Sequence, residues 1–364
     1  MRIGLILYGS LDILSGGYLY DRYLVAHLRA LGAQVQVFAL PWRHYAAHLG
    51  DNVRRAWRET LRRAQVDLWL QDELNHPSLF ALNRALARWH PRVPRVAIVH
   101  HLRVQEQHPP LLRGLYRVVE RAYLRTLTAA VYNSRTTQDA VTVLRGAPLP
   151  GVVAYPGKDH VPAPRLAPAW LQQRAHQPGP LRVLAVGNLI PRKGLHHLLE
   201  AVRRLPVGLV QVDIVGREDA APRYARRLRR RAAAWGLAVH FHGRLDADAL
   251  ARRYRQAQVF ALPSQHEGYG IVFAEALGFG LPVLAGHGGA VGEIVTSGRE
   301  GVLVAPDDVD TLAAALRTWA TDRDLLARQA VAARRRYEQL PTWQASMTRA
   351  ARWLLTLPKT GSQG

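Results

Sequence analysis

One pattern, short apolar runs alternating with longer amphipathic stretches, occurs twice along this 364-residue chain and constrains its fold more than any other feature. Over the first 155 residues the runs at 2–7, 34–38, 67–70, 95–99, 129–132 and 152–155 read as buried strands. Between them, 18–31, 53–64, 111–127 and 136–144 carry helical periodicity. Strands that alternate with helices imply a parallel sheet covered on both faces. A stretch studded with Pro156, Pro162, Pro164, Pro168, Pro178 and Pro180 comes next, and reads as a linker with a short helix at 170–174. The alternation then restarts with strands at 181–186, 210–215, 239–242, 259–262, 282–285 and 301–304. The final stretch, 306–357, reads as helical apart from Pro341. Two doubly wound α/β domains, with a ligand held at the C-terminal ends of the sheets, account for this order.

Composition supports that reading and removes several classes of chemistry. Single cores rarely exceed about 250 to 300 residues, so the length suits two domains. Hydrophobic residues make up 48% and charged residues 21%, the balance of a chain that forms cores. Cysteine is absent, which excludes disulfides, thiolate nucleophiles and cysteine-ligated metals. The opening apolar run ends at Gly9-Ser10, too short for a secretory signal, and no stretch approaches the roughly 18 apolar residues of a membrane span. A cytoplasmic protein is expected. The net charge of +22 comes from 46 arginines and only three lysines, Lys158, Lys193 and Lys359. Such a skew speaks for arginine usage as much as for nucleic acid, and no specific nucleic-acid partner is expected.

The most informative residues run from Pro263 to Leu277, PSQHEGYGIVFAEAL. They come after the strand at 259–262 and lead into a helix near Gly270–Ile271. Gly268 and Gly270 allow a sharp turn and close backbone approach to a ligand. The amides of Gly270, Ile271 and Val272 then lack partners within the helix, at its positive end, which suits a pyrophosphate. Glu267 lies before that site and Glu275 one turn inside the helix, so the two carboxylates can bracket one extended ligand. By itself a glycine-rich turn with two glutamates is more often a solvated strand–turn–helix.

This stretch resembles the signature of glycosyltransferase family four, a glutamate followed after seven residues by another. The resemblance implies the GT-B fold: two Rossmann-like doubly wound domains facing across a cleft, with a C-terminal helix crossing back to the first. The expected boundaries are 1–160 plus 342–364 for an acceptor-side domain, 161–180 for the linker and 181–341 for a nucleotide-sugar domain. It further implies that Glu275 binds the ribose hydroxyls, that Glu267 binds the hydroxyls of the transferred sugar, and that the Gly270, Ile271 and Val272 amides hold donor phosphate and sugar. In the loop Gly187–Gly194, Lys193 matches the family's lysine, whereas Asn188 stands where an arginine is usual and Arg192 is a substitute for it. Cations where a helix begins need a reason, and a bound pyrophosphate supplies one. Ser15-Gly16-Gly17-Tyr18 resembles the family's Gly-Gly loop, with Gly16 and Gly17 near donor phosphate. His100 matches a histidine at the end of a first-domain strand; His101, where aspartate is common, points to the opposite face and is held in reserve. Gly243 and Arg244, in the His242–Arg244 turn, suit a base-contacting loop.

The implied activity is retaining transfer of a hexose-type sugar from a nucleoside-diphosphate sugar to an acceptor hydroxyl, the acceptors including lipid-linked and surface glycans as well as small molecules. Lys193, Arg192 and the amides would stabilise the departing phosphate without a metal or other cofactor. The catalytic set is then His100, Glu267, Lys193 and Arg192. Two arginine rows, Arg113, Arg117, Arg121 and Arg125 beside Leu112, Leu115 and Val119, and Arg54, Arg58 and Arg62, suggest either a solvated face or peripheral attachment to an anionic inner-membrane surface. A GT-B epimerase or phosphorylase, the latter short of lysines, and a non-catalytic polyanion- or nucleotide-binding protein remain the alternatives.

Overall fold

The computed structural model describes residues 1–13, 15–106 and 108–357. They form two compact units, Met1–Pro156 together with the stretch from Trp343 onward, and Gly157–Thr342.

The first unit is built on a six-stranded, wholly parallel sheet: β1 (Arg2–Tyr8), β2 (Gln34–Leu40), β3 (Leu68–Asp72), β4 (Arg95–Val99), β5 (Ala129–Tyr132) and β6 (Gly151–Val153). Their spatial order is β2-β1-β3-β4-β5-β6. β1 pairs with β2 in the register Ile3↔Val35 and with β3 in the register Ile3↔Leu68. The order reverses at β1, so the chain leaves β1 and β3 towards opposite faces and a crevice opens beyond their C-terminal ends. The Ser15–Gly17 loop lies there, with the Ser15 hydroxyl accepting the Tyr18 amide at the head of the helix Gly16–Ala30. The C-terminal helix Trp343–Thr356 belongs to this unit. It buries Trp343, Met347, Ala350, Ala351 and Leu354, and Trp343 stacks on Tyr23 with centroids 4.2 Å apart.

The second unit repeats the plan with β7 (Leu181–Val186), β8 (Val210–Val215), β9 (Val239–Phe241), β10 (Val259–Leu262), β11 (Val283–Gly286) and β12 (Gly301–Val304), ordered β12-β11-β10-β7-β8-β9 and all parallel. Here the reversal falls between β7 and β10. The loops leaving these two strands, Gly187–Gly194 and Pro263–Gly270, are therefore the ones the topology brings together.

Two sequence expectations change. The stretch expected as a linker is built into the second unit: the helix Pro168–Ala175 buries Leu171, and the guanidinium of Arg174 bonds the Gly280 carbonyl at 2.6 Å. The short helix expected at 170–174 is present, and the prolines stand outside it or at its head, which is why the sequence read as a linker around it. The final stretch contains three helices, Val309–Thr321, Arg323–Gln339 and Trp343–Thr356. The break before the second is made by Asp322, whose carboxylate caps Leu325 at 2.7 Å. No described helix is long and apolar enough to cross a membrane.

Candidate active site

The two loops at the β7/β10 reversal meet backbone to backbone. Gly194 has φ +68°, and a Cβ on it would stand 2.0 Å from the Pro263 carbonyl oxygen, so only glycine fits both the conformation and the space. Pro191–Lys193 forms a single 3-10 turn before the helix Leu195–Arg203. That turn donates and accepts across the junction: the Gln265 amide bonds the Arg192 carbonyl at 2.9 Å, and the Arg192 guanidinium bonds the His266 carbonyl.

Close approach of the loops brings their charges together. Lys193 Nζ lies 2.6 Å from Glu267 Oε1, and Arg192 Nη1 lies 3.8 Å from Glu267 Oε2. Glu267 is buried. Burial alone would raise its carboxyl, but Lys193 and Arg192 outweigh that and hold it at about 2. Burial in turn lowers Lys193, assisted by Arg192 and opposed by Glu267. Removing either partner would leave a buried charge poorly compensated, so the pair is a fixed feature of the junction between the two loops. Its backbone is fixed too. The loop after β11 clamps Glu267, whose carbonyl accepts the Ala290 amide at 2.9 Å and whose amide bonds Gly288. A Cβ on Gly289 would lie 2.0 Å from the Glu267 carbonyl oxygen.

Gly270 (φ +93°) turns the chain into the helix Ile271–Gly278, with the Phe273 ring filling the place of its missing side chain. Ile271 and Val272 open that helix, and their amides belong to the first turn, which has no acceptor within the helix. Glu275, in the same helix, is buried and accepts a bond from the Tyr254 hydroxyl at 2.9 Å. Among the described residues no cation is paired with it, and burial raises its carboxyl to about 7 despite the Tyr254 bond. The two glutamates of one motif are thus electrostatic opposites, one a fully ionised anion beside cations, the other an acid poised near neutrality. In the turn after β9 His242 Nε2 pairs with Asp213 at 2.5 Å, Gly243 (φ +64°) shapes the bend, and Arg244 is exposed without a hydrogen bond or ion pair among the described residues.

In the first unit, His100 emerges from β4 against Gly17, where a Cβ would stand 3.1 Å from the ring. Gly16 begins the adjoining helix. His100 Nε2 pairs with buried Asp21 at 3.1 Å, and its carbonyl accepts the Asn133 side-chain amide at 2.7 Å. Burial depresses the ring, but Asp21 and Asp72 outweigh this and raise its titration above the ordinary value. His101 instead turns to Glu106 at 3.0 Å.

The structure therefore joins Arg192, Lys193 and Glu267 in one cluster, sets Glu275 and the Gly270–Val272 turn on the same loop and helix, and joins Gly17 with His100. Three participants were absent from the sequence reading. Tyr254 lies 21 residues before Glu275, the Gly288-Gly289 pair had only its glycines as a signal, and Asp21 sits inside an otherwise ordinary amphipathic helix.

Residues 167–336 match the model of the family described as glycosyl transferases group 1. The chain is 31% identical over 310 residues to a glycogen synthase of Mycobacterium tuberculosis, which covers 82% of this chain and 69% of that protein. It is 35% identical over 183 residues to a GDP-mannose-dependent phosphatidylinositol monomannoside mannosyltransferase of Mycolicibacterium smegmatis, covering 47% and 46% of the two chains. Among solved structures, sucrose-phosphate synthase from Thermosynechococcus elongatus superposes with a TM-score of 0.78 at 21% identity, covering 97% of this chain and 98% of that one. HepE from Anabaena, solved with UDP and glucose, gives 0.77 at 20% identity, covering 98% and 100%.

Proposed function

This chain belongs to the group 1 glycosyl transferases and has the GT-B fold, and from that premise we propose that it is a retaining hexosyltransferase using a nucleoside-diphosphate sugar. The observation that carries the proposal is the buried Lys193–Glu267 pair, with Arg192 beside it, at the topological reversal of the second unit.

In this reading the donor lies along the Pro263–Gly278 stretch. Glu275 accepts from the ribose hydroxyls, Glu267 from hydroxyls of the transferred sugar, and the Gly270, Ile271 and Val272 amides meet phosphate and sugar oxygens. The Gly243–Arg244 turn contacts the base, and Gly16, Gly17 and His100 supply the first unit's share of donor binding. As the C1–O bond to the β-phosphate breaks, negative charge grows on that phosphate. Lys193 carries three N–H donors, so it can keep Glu267 on one and turn another to the phosphate, with Arg192 assisting. The acceptor hydroxyl forms its bond to C1 on the face the phosphate leaves, and its proton departs with the phosphate. Two side-chain cations and a helix start are offered for charge stabilisation, so transfer is expected to proceed without a divalent metal. The acceptor is a glycan, a lipid or a small molecule, and the working place is the cytoplasm.

Incubation with UDP-, GDP- and ADP-sugars, with and without EDTA, followed by mass spectrometry, tests this. The expected result is release of one nucleoside diphosphate, unaffected by EDTA, with the anomeric configuration retained in the product. Absence of turnover with every donor, or a product of inverted configuration, would overturn it.

A further inference from the structure

The helix Pro110–Leu124 in the first unit has two apolar faces, of which the protein uses one. Tyr116, Val119, Tyr123 and Leu124 are buried inward. On the other side Leu111, Leu115 and Val118 are 90, 42 and 68% exposed, and the half-buried Ala122 continues the row. Positions 111, 115, 118 and 122 fall at helical spacing, so they form one continuous stripe rather than scattered surface residues. Val143 on the neighbouring helix Arg135–Arg145 is 79% exposed and, with Arg113 and Arg117, lines a separate groove of about 680 Å³ beside the arginine row.

One flank of the stripe carries Arg113, Arg117, Arg121 and Arg125, and among the described residues none of these pairs with a carboxylate. The helix's single acid, Glu120, is buried. The second arginine row behaves differently. Arg62 pairs with Glu59, while Arg58 bonds the Asn52 carbonyl and covers Trp89, so two of that row's three arginines are engaged by their own surroundings, while Arg54 is exposed.

We propose that this helix is a docking face for an anionic lipid surface. Leu111, Leu115 and Val118 enter the apolar layer while the long arginine stems reach head-group phosphates. A second copy of this chain fits poorly, because two such faces would oppose rows of like charge without an acid between them. The proposal does not depend on the donor chemistry.

Vesicle flotation of the full chain tests it, using phosphatidylcholine with and without phosphatidylglycerol, at low and high salt. The wild type is expected to float only with the anionic vesicles and to be released by salt. The variant Leu111→Ser/Leu115→Ser/Val118→Ser should lose affinity by about tenfold or more, and Arg117→Gln/Arg121→Gln by a similar factor. Both alter exposed side chains, and an unchanged circular dichroism spectrum and thermal midpoint would show that they fold. Equal binding to neutral vesicles, flotation indifferent to the triple substitution, or no flotation at all would overturn the proposal. So would light scattering that shows a dimer which the triple substitution dissolves.

Discussion

At the scale of single residues, the two glutamates of the motif differ in what their surroundings do to them. Glu267 is held ionised by Lys193, so its carboxylate is available at any working pH. On the proposed reading Lys193→Ala removes the cation nearest the departing phosphate, and it leaves the buried Glu267 carboxylate with Arg192 alone. Turnover is expected to fall by at least about tenfold, and stability by about 3 kcal/mol or more, read from steady-state rates and thermal melts. A variant with full activity would place the phosphate elsewhere. Glu275, raised to about 7 by burial, must be ionised to accept two ribose hydroxyls. Affinity for the nucleoside diphosphate is therefore expected to weaken as pH falls from 8 to 6. The Tyr254 bond lowers the Glu275 carboxyl, so Tyr254→Phe should move that loss to higher pH. Titration calorimetry across this range decides it, and a flat profile in both proteins would remove Glu275 from the ribose. The motif's spacing made both glutamates legible in the sequence. Their opposite protonation was not, because it depends on partners at positions 193 and 254 that only the fold supplies.

Among the elements, strands were legible wherever a run of Val, Ile, Leu and Ala was buried on both faces, as at 95–99, 129–132, 181–186 and 259–262. β3 was cut short because it ends in Gln71 and Asp72, both buried although polar. The short helices Tyr45–Leu49, His76–Leu79 and Leu82–Trp89 were missed because one or two turns cannot display a period. The segment just beyond β3 is chemically unusual. Glu73 and Glu120 lie together in the interior beside His76, whose Nδ1 is 3.0 Å from Glu73 Oε1, and burial raises each carboxyl to about 8. Glu120 also accepts the Arg103 and Val104 amides at 2.7 and 3.2 Å. A carboxyl that holds its proton more tightly folded than unfolded stabilises the fold fully in acid. That contribution drains away as pH rises from the ordinary carboxylate range of about 4.3 towards 8. Glu73→Gln has no such proton to lose. Relative to the parent it should gain about 1 kcal/mol or more between pH 5 and 8, measured by denaturant unfolding at each pH. A difference that does not vary with pH would mean that Glu73 does not hold a proton in the folded protein.

For the whole molecule, the informative feature is the route of the last helix. Pro341 was visible as a break, and apolar residues at helical spacing beyond it were visible as a buried face. Which sheet they cover was an expectation from the family resemblance alone, since spacing does not name a partner. In the structure Trp343 stacks on Tyr23 and meets Tyr20 edge-on with centroids 6.0 Å apart. Tyr20 in turn donates to the Ala154 carbonyl at 2.8 Å, tying the first helix to the end of β6. Burying a large apolar side chain contributes about 1.5 to 3 kcal/mol. Trp343, Met347 and Leu354 together therefore supply about 5 kcal/mol or more, comparable with the whole stability of a typical domain. The second unit has its own closure, in which Lys158 donates to the Tyr337 and Glu338 carbonyls at 2.9 and 2.8 Å and its amide to Pro341 at 3.0 Å. Ending the chain after Thr342 keeps all three of those bonds and deletes only the first unit's cover. Hydrogen exchange is then expected to show β1–β6 losing protection while β7–β12 keep theirs, with sugar transfer abolished and nucleotide binding by the second unit retained in part. Unchanged protection of β1–β6 in the shortened protein would show that the returning helix is dispensable and that the first unit's core stands without Trp343.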